Sequence, residues 1–199
     1  MADADVLFAA TTRGLLIYLD YEGLIKLHWS ALILDELARA LVDTGRKTTL
    51  DDAKAHEARL CQALPNASVS TEDVQAHYRA VAPAVRSAKD THVAACAHYL
   101  LVKKAYPDQS AVALVSRNTR DFKRTVLAEM GIMLQRPDVF LASLIASRPA
   151  AVARALRRFR LDLTSLPAPE ALLHRLARDG LATTVHRLQV LYRSGEVEL

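Results

Sequence analysis

The chain has 199 residues and 51% of them are apolar, so it can bury a substantial core and is too apolar to be intrinsically disordered. Its two cysteines, Cys61 and Cys96, have no metal-ligand spacing around them, which argues against a disulfide framework and favours a reducing compartment. No apolar run approaches the roughly 20 residues of a membrane helix, and no leader pattern precedes a cleavage site, so we expect a cytoplasmic protein with no membrane partner.

The net charge of +4 is distributed unevenly along the chain. Residues 1–145 contain 17 basic and 17 acidic residues, whereas residues 146–199 contain nine arginines, no lysine and five acids. All of the excess positive charge therefore lies in the C-terminal part. Arginine suits bidentate contacts to phosphate or carboxylate, so an anionic partner is one interpretation, and a solvated helix face is the other.

The first eight residues, MADADVLF, predict a short strand that carries Asp3 and Asp5 on the same side. Acids in such an apolar segment are costly unless they are used, although a frayed terminus with solvated aspartates is the simpler alternative. A helix is expected over residues 11–21, with Gly23 ending it, and residues 24–27 are a candidate second strand.

Ser30 is expected to cap a helix that runs to about Asp43. Its helical phase directs Asp35 towards water, where it can pair with Arg39, and places Glu36 at the edge of the apolar face. Glu36 is therefore the candidate for chemistry, and a flank glutamate that reaches solvent is the alternative. Residues 46–87 predict two or three further helices without chemical motifs.

The segment 88–122 reads as a helix, a buried strand and a polar turn. Asp90 opens the helix, residues 111–116 form a Val-rich parallel strand, and the turn that follows ends in Asp121. Ligands gather at the carboxyl ends of strands in open parallel sheets, so these two acids are candidates for one site. Each also has a structural alternative, because aspartate is a good helix cap.

The rest of the chain is predicted to be a helix over 123–130, a short strand over 132–134, and a helix over 140–146. An arginine-rich helix follows in the C-terminal part, and then two helices meet at Gly180. That pair fits either a helix-turn-helix or a plain helical hairpin, and no base-reading residues stand out. The seven histidines lack ligand spacing and are interpreted as structural or surface residues.

Five acids share a placement at strand ends, helix starts or a helix edge: Asp3, Asp5, Glu36, Asp90 and Asp121. Brought together without a cation, they would repel one another. Oxygen ligands of this kind select Mg²⁺ or Mn²⁺, which can activate water and stabilise the charge that develops on a phosphodiester.

The sequence also resembles a known family, the PIN-domain ribonucleases, and within it the VapC-like toxins of type II toxin–antitoxin pairs. The motifs that carry the resemblance span residues 1 to about 145 and read DADVLF with Arg13 following, HWSALILDEL, KDTHVAAC, VSRNTRDF and GIMLQRPDVFL. The resemblance implies a three-layer α/β/α sandwich around a central parallel sheet over residues 1–145. Residues 146–199 would then form an all-helical, arginine-rich extension similar to one found on some members.

The resemblance implies metal-dependent cleavage of RNA and inhibition by a cognate antitoxin, and it leaves room for a homodimer. The implied catalytic and metal-binding acids are Asp3, Glu36, Asp90 and Asp121, with Asp5 as a further metal neighbour where the family usually has Asn. The residues expected to bind the substrate are Arg13, Asn118, Arg154, Arg157 and Arg158. Only two residues precede Asp3, so we expect a shortened first strand.

Two rival functions remain. The Asp3-Ala4-Asp5 pair also matches a haloacid-dehalogenase-like phosphatase, but the apolar strand before the pair and a later Gly-Asp motif are missing. The other rival is a non-catalytic nucleic-acid or protein binding module that uses the basic C-terminal part. Metal-dependent RNA cleavage distinguishes this binding module from the nuclease.

Overall fold

The computed structural model describes residues 1–104, 106 and 111–199, and these form two compact units. The first unit consists of Met1–Phe8 and Leu27–Arg136, and the second consists of Ala9–Lys26 and Pro137–Leu199. Each unit therefore combines segments that are distant in sequence.

The first unit is mainly helical, although it holds the strands. Its helices are α1 (Ala4–Phe8), α3 (Ala31–Asp43), α4 (Leu50–Ala63), α5 (Thr71–Gln75), α6 (Tyr78–Val81), α7 (Thr91–Lys103) and α8 (Arg124–Glu129). Helix α3 buries Ile33, Leu34 and Leu37 and packs on α1 and α4. Helix α7 buries its central Ala and Cys residues and packs on α5 and α6.

The predicted α/β/α sandwich around a central parallel sheet is wrong. The described residues are 66% helical and form two short two-stranded parallel sheets. Strand β1 (Trp29–Ser30) pairs with β2 (Ser68–Val69), and β3 (Val112–Val115) pairs with β4 (Ile132–Gln135). Strands of two to four residues contribute few ladder hydrogen bonds, so helix packing supplies most of the core.

The N-terminal prediction also needs correction, because only its first residues are extended. The Ala2 amide donates to the His28 carbonyl at 2.9 Å, and the Asp3 amide donates to the Val115 carbonyl at 3.0 Å. The Asp3 carboxylate then accepts the Ala4 amide at 2.7 Å, and α1 begins there. A side-chain acceptor at this position favours a helix start, which the alternating pattern did not reveal.

The helix limits around α3 agree with the prediction. The Ser30 hydroxyl accepts the Ile33 amide at 3.2 Å, which confirms the N-cap. Gly45 follows α3 with φ of +68°, a conformation that glycine adopts without strain. The candidate strand over residues 24–27 does not form, and the first regular strand begins at Trp29 instead.

The second unit is helical throughout its described elements, which are α2 (Ala10–Tyr21), α9 (Pro137–Ser147), α10 (Pro149–Asp162), α11 (Pro169–Arg178) and α12 (Ala182–Arg193). Helices α2 and α10 approach closely at Gly14, where an added Cβ would lie 2.3 Å from the Phe159 ring. Two aspartates cap helices across the unit. Asp138 accepts the Thr184 amide at 2.8 Å, and Asp179 accepts the Thr12 amide at 2.9 Å.

The predicted division between residues 145 and 146 falls inside α9. No single helix in the described ranges is long and apolar enough to cross a membrane. Helices α9 and α10, bent by 119° at their junction, meet that criterion together by length and composition.

Candidate functional site

A cavity of about 650 Å³ in the first unit brings three of the predicted acids together. It lies between α3, the start of α6, the turn before α7 and the turn after β3. Its lining residues are Leu32, Asp35, Glu36, Arg39, Tyr78, Ser87, Lys89, Asp90, His92, Asn118 and Asp121. All of them belong to the first unit.

Local structure explains how each acid reaches this cavity. Glu36 lies at the edge of the buried face of α3, and its side chain is 50% exposed. Asp90 occupies the N-cap position of α7, yet its carboxylate makes no capping hydrogen bond. Asp121 ends a 3₁₀ turn after β3 and accepts a hydrogen bond from the Asn118 side-chain amide. The capping explanation therefore does not account for Asp90.

Asp3 is the most deeply buried of the predicted acids, with 6% of its surface exposed. Burial raises its pKa from 3.8 to about 7, and the charge of Asp5 raises it further, with a smaller contribution from Glu36. A carboxyl with this pKa is expensive to ionise in the absence of a cation. The charge of Glu36 acts on Asp3, which ties this buried acid to the cavity acids.

The cavity acids also act on one another. Burial raises the pKa of Asp90, and the negative charges of Asp121 and Glu36 raise it further. Together with the influence of Asp5 and Glu36 on Asp3, these interactions join all five predicted acids into one electrostatic chain. We call this set, Asp3, Asp5, Glu36, Asp90 and Asp121, the acidic cluster.

His92 is a cavity residue that sequence reasoning missed. Its Nδ1 lies 2.7 Å from the Lys89 carbonyl, which can only accept, so Nδ1 carries the proton. Its Nε2 lies 3.4 Å from Glu36 Oε2. Burial opposes protonation, but the hydrogen bond and charge of Glu36 outweigh it and raise the pKa of His92, while the His92 contact lowers the pKa of Glu36. Its place two residues after Asp90, on the same helix, was the available signal.

Asp5 organises the turn that carries the last acid. Its carboxylate accepts the Arg117 amide at 2.9 Å and the Asn118 amide at 3.0 Å, and the Ser116 hydroxyl at 3.3 Å. Burial raises the pKa of Asp5, although these backbone hydrogen bonds oppose the shift. The contacts hold Asn118 in position at the cavity wall.

The acidic cluster has the donor chemistry of a Mg²⁺ or Mn²⁺ site, because carboxylates are hard ligands and a cation would relieve their repulsion. Its oxygens do not form a ready coordination sphere. Within the described ranges, no group of three or more His, Cys, Asp or Glu side chains is arranged to hold a metal ion. The metal therefore stays a prediction.

Asp35 differs from its neighbour Glu36, as expected, but its partner is not the predicted one. The ammonium group of Lys54, on α4, forms an ion pair with the Asp35 carboxylate. Arg39 donates instead to the Asp35 main-chain carbonyl, with a distance of 3.3 Å from Nε. A contact between two helices replaces the pair expected along one helix.

The other predicted substrate-binding residues belong to the second unit. Arg13 lies on α2, and the three remaining arginines lie on α10. Arg158 contacts Glu22 at 2.8 Å, Arg154 contacts the same carboxylate at 3.5 Å, and Arg157 contacts Glu198 at 3.3 Å. The α10 side chains are still 50–63% exposed, so these ion pairs do not bury them.

Comparison with known proteins gave one family match. Residues 137–190 match the model of the VapC50 C-terminal domain. This segment begins where the second unit resumes after Arg136, and it covers α9 to α11 and most of α12. The search of curated proteins and the search of solved structures found no match.

Proposed function

We propose that this protein is a divalent-metal-dependent endoribonuclease that acts as the toxin of a toxin–antitoxin pair. The observation that supports the proposal most strongly is the electrostatic chain of five acids at a cavity of about 650 Å³. Such a set is unfavourable in an empty site, because burial and like charges both oppose ionisation. Acids arranged in this way are candidates for a functional site.

The residues that would hold a Mg²⁺ or Mn²⁺ ion are Asp3, Glu36, Asp90 and Asp121, with Asp5 beside them. When bound, such an ion supplies an activated water and offsets the charge on the phosphodiester. Asp3 would be ionised in that state, since a nearby cation favours the charged form of a buried carboxyl.

The neighbouring side chains position the cluster. His92 holds the Glu36 carboxylate from one side, and its own orientation is fixed by the Lys89 carbonyl. Asp5 holds the turn that presents Asn118 and Asp121. In the proposed reaction Asn118 contacts the RNA, and Arg13, Arg154, Arg157 and Arg158 contribute positive charge towards its backbone.

The toxin role has support from the match of residues 137–190 to the VapC50 C-terminal domain. A cognate antitoxin protein is accordingly the proposed partner, and the cytoplasm is the proposed location. A small upstream reading frame that encodes a DNA-binding N-terminal segment would support this role.

RNA cleavage with controlled metal tests the proposal. The purified protein should cleave single-stranded RNA with Mg²⁺ or Mn²⁺ and lose that activity in EDTA. Undiminished cleavage in EDTA would refute the metal mechanism. RNA binding without cleavage at any metal concentration would favour a non-catalytic binding module instead.

A further inference from the structure

One wall of the cavity has no role in the proposed hydrolysis. It consists of Tyr78, Arg39 and Lys89, which face the same space as the acidic cluster. Lys89 is exposed, and its ammonium group forms no ion pair within the described ranges. The cavity therefore places one aromatic ring and two cations beside the acids.

Tyr78 is unusual for a structural tyrosine. It is half-buried, and its hydroxyl forms no hydrogen bond with the described part of the chain. Burial raises the pKa of this phenol. Tyrosines that pack in a core generally find a partner for the hydroxyl. A ring that lines a cavity without such a bond is available to a ligand.

The ring is mounted firmly relative to the acids. Tyr78 begins α6, directly after His77, whose Nδ1 lies 2.6 Å from Nδ1 of His98 on α7. The two imidazole rings meet edge to face at 4.9 Å between centroids, and α6 packs along α7. Asp90 lies at the N-cap of the same α7. One helix thus fixes both the aromatic wall and an acid of the cluster.

We propose that Tyr78 stacks on a base of single-stranded RNA beside the phosphate to be cleaved, and that Arg39 and Lys89 contact the flanking phosphates. This inference rests on the proposed function and names its substrate class. Bases in a duplex are already stacked on each other, whereas an unpaired base can lie on an aromatic side chain. Lysine and arginine supply the backbone contacts that such sites use.

Fluorescence of a single-stranded RNA that carries 2-aminopurine tests the stacking directly. Binding would be measured with Ca²⁺ in place of Mg²⁺, and cleavage with Mg²⁺ would be measured in parallel. Wild-type protein should quench the fluorophore and bind the single strand more tightly than a duplex. Tyr78→Leu should lose the quenching and between about 5-fold and about 150-fold in affinity, the range found when a stacked aromatic is removed.

Two variants control the experiment. Tyr78→Phe keeps the ring and should behave as wild type. Tyr21→Ala removes a 45% exposed tyrosine of the second unit and should change nothing. Equal affinity of Tyr78→Leu and wild type, or equal losses in Tyr78→Phe and Tyr78→Leu, would overturn the stacking role.

The two assays also separate this inference from the proposed function. Cleavage by wild type without quenching would remove Tyr78 from the site and leave the nuclease intact. Quenching that depends on Tyr78, without cleavage at any metal concentration, would keep the binding site and remove the nuclease.

Discussion

Replacing Asp3 by Asn should stabilise the metal-free protein at alkaline pH. The pKa of Asp3 is raised from 3.8 to about 7, a difference of roughly three units, which corresponds to about 4 kcal/mol at 1.36 kcal/mol per unit. The folded state then binds more protons than the unfolded state between these two values, so stability falls as the pH rises through this window. Asparagine keeps the shape and the acceptor for the Ala4 amide without the charge.

Urea denaturation in EDTA at pH 4 and pH 8.5 measures the effect. Asp3→Asn should gain up to about 4 kcal/mol over wild type at pH 8.5 and little at pH 4, where both side chains are neutral. Added Mg²⁺ should stabilise wild type more than the variant, since the variant lacks a ligand charge. Asp35→Asn is the control, because it removes an exposed ion pair worth about 0.2–1 kcal/mol. A gain that is equal at both pH values, or no gain at pH 8.5, would refute the account of Asp3.

Two further predictions concern the second unit. Replacing Arg154, Arg157 and Arg158 together by Gln should flatten the salt dependence of RNA affinity by roughly 0.7 per lost phosphate contact, and identical slopes at two salt concentrations would assign these arginines to their ion pairs alone. Asp138→Ala should cost about 0.5–2 kcal/mol at neutral pH because its carboxylate caps α12. Burial opposes the lowered pKa of Asp138, but the hydrogen bonds from Thr184 and Thr183 outweigh it, so the loss should shrink as the pH falls below 3.8. Glu129→Ala, an exposed acid at the end of α8, is its control, and equal losses would exclude the cap.

Local signals in the sequence predicted the elements that depend on local contacts. The phase of α3 separates Glu36 from Asp35, and the structure places Glu36 beside His92 while Asp35 pairs across to Lys54. The strand–turn pattern likewise led to Asp121 at the cavity wall. Caps, glycine stops and helical periodicity act within a few residues, which is why they can be read from one sequence.

Features that depend on distant contacts were not predictable in the same way. The fold class was wrong because strand pairing is non-local, and the apolar runs form strands of only two to four residues. The pairing of Asp35 with Lys54 joins two helices, whereas the sequence rule indicated a partner along one helix. The role of His92 beside Glu36 needed the packing of α7 against α3.

The most direct test of the central claim compares two neighbouring residues of one helix. Glu36→Gln removes a charge of the acidic cluster and keeps its shape, whereas Asp35→Asn removes a charge from the same cavity wall outside the cluster. Both purified variants would be assayed for cleavage of single-stranded RNA in Mg²⁺, with melting temperatures recorded to confirm folding. The account predicts that Glu36→Gln loses cleavage while Asp35→Asn retains it. Equal activity in the two folded variants would contradict it.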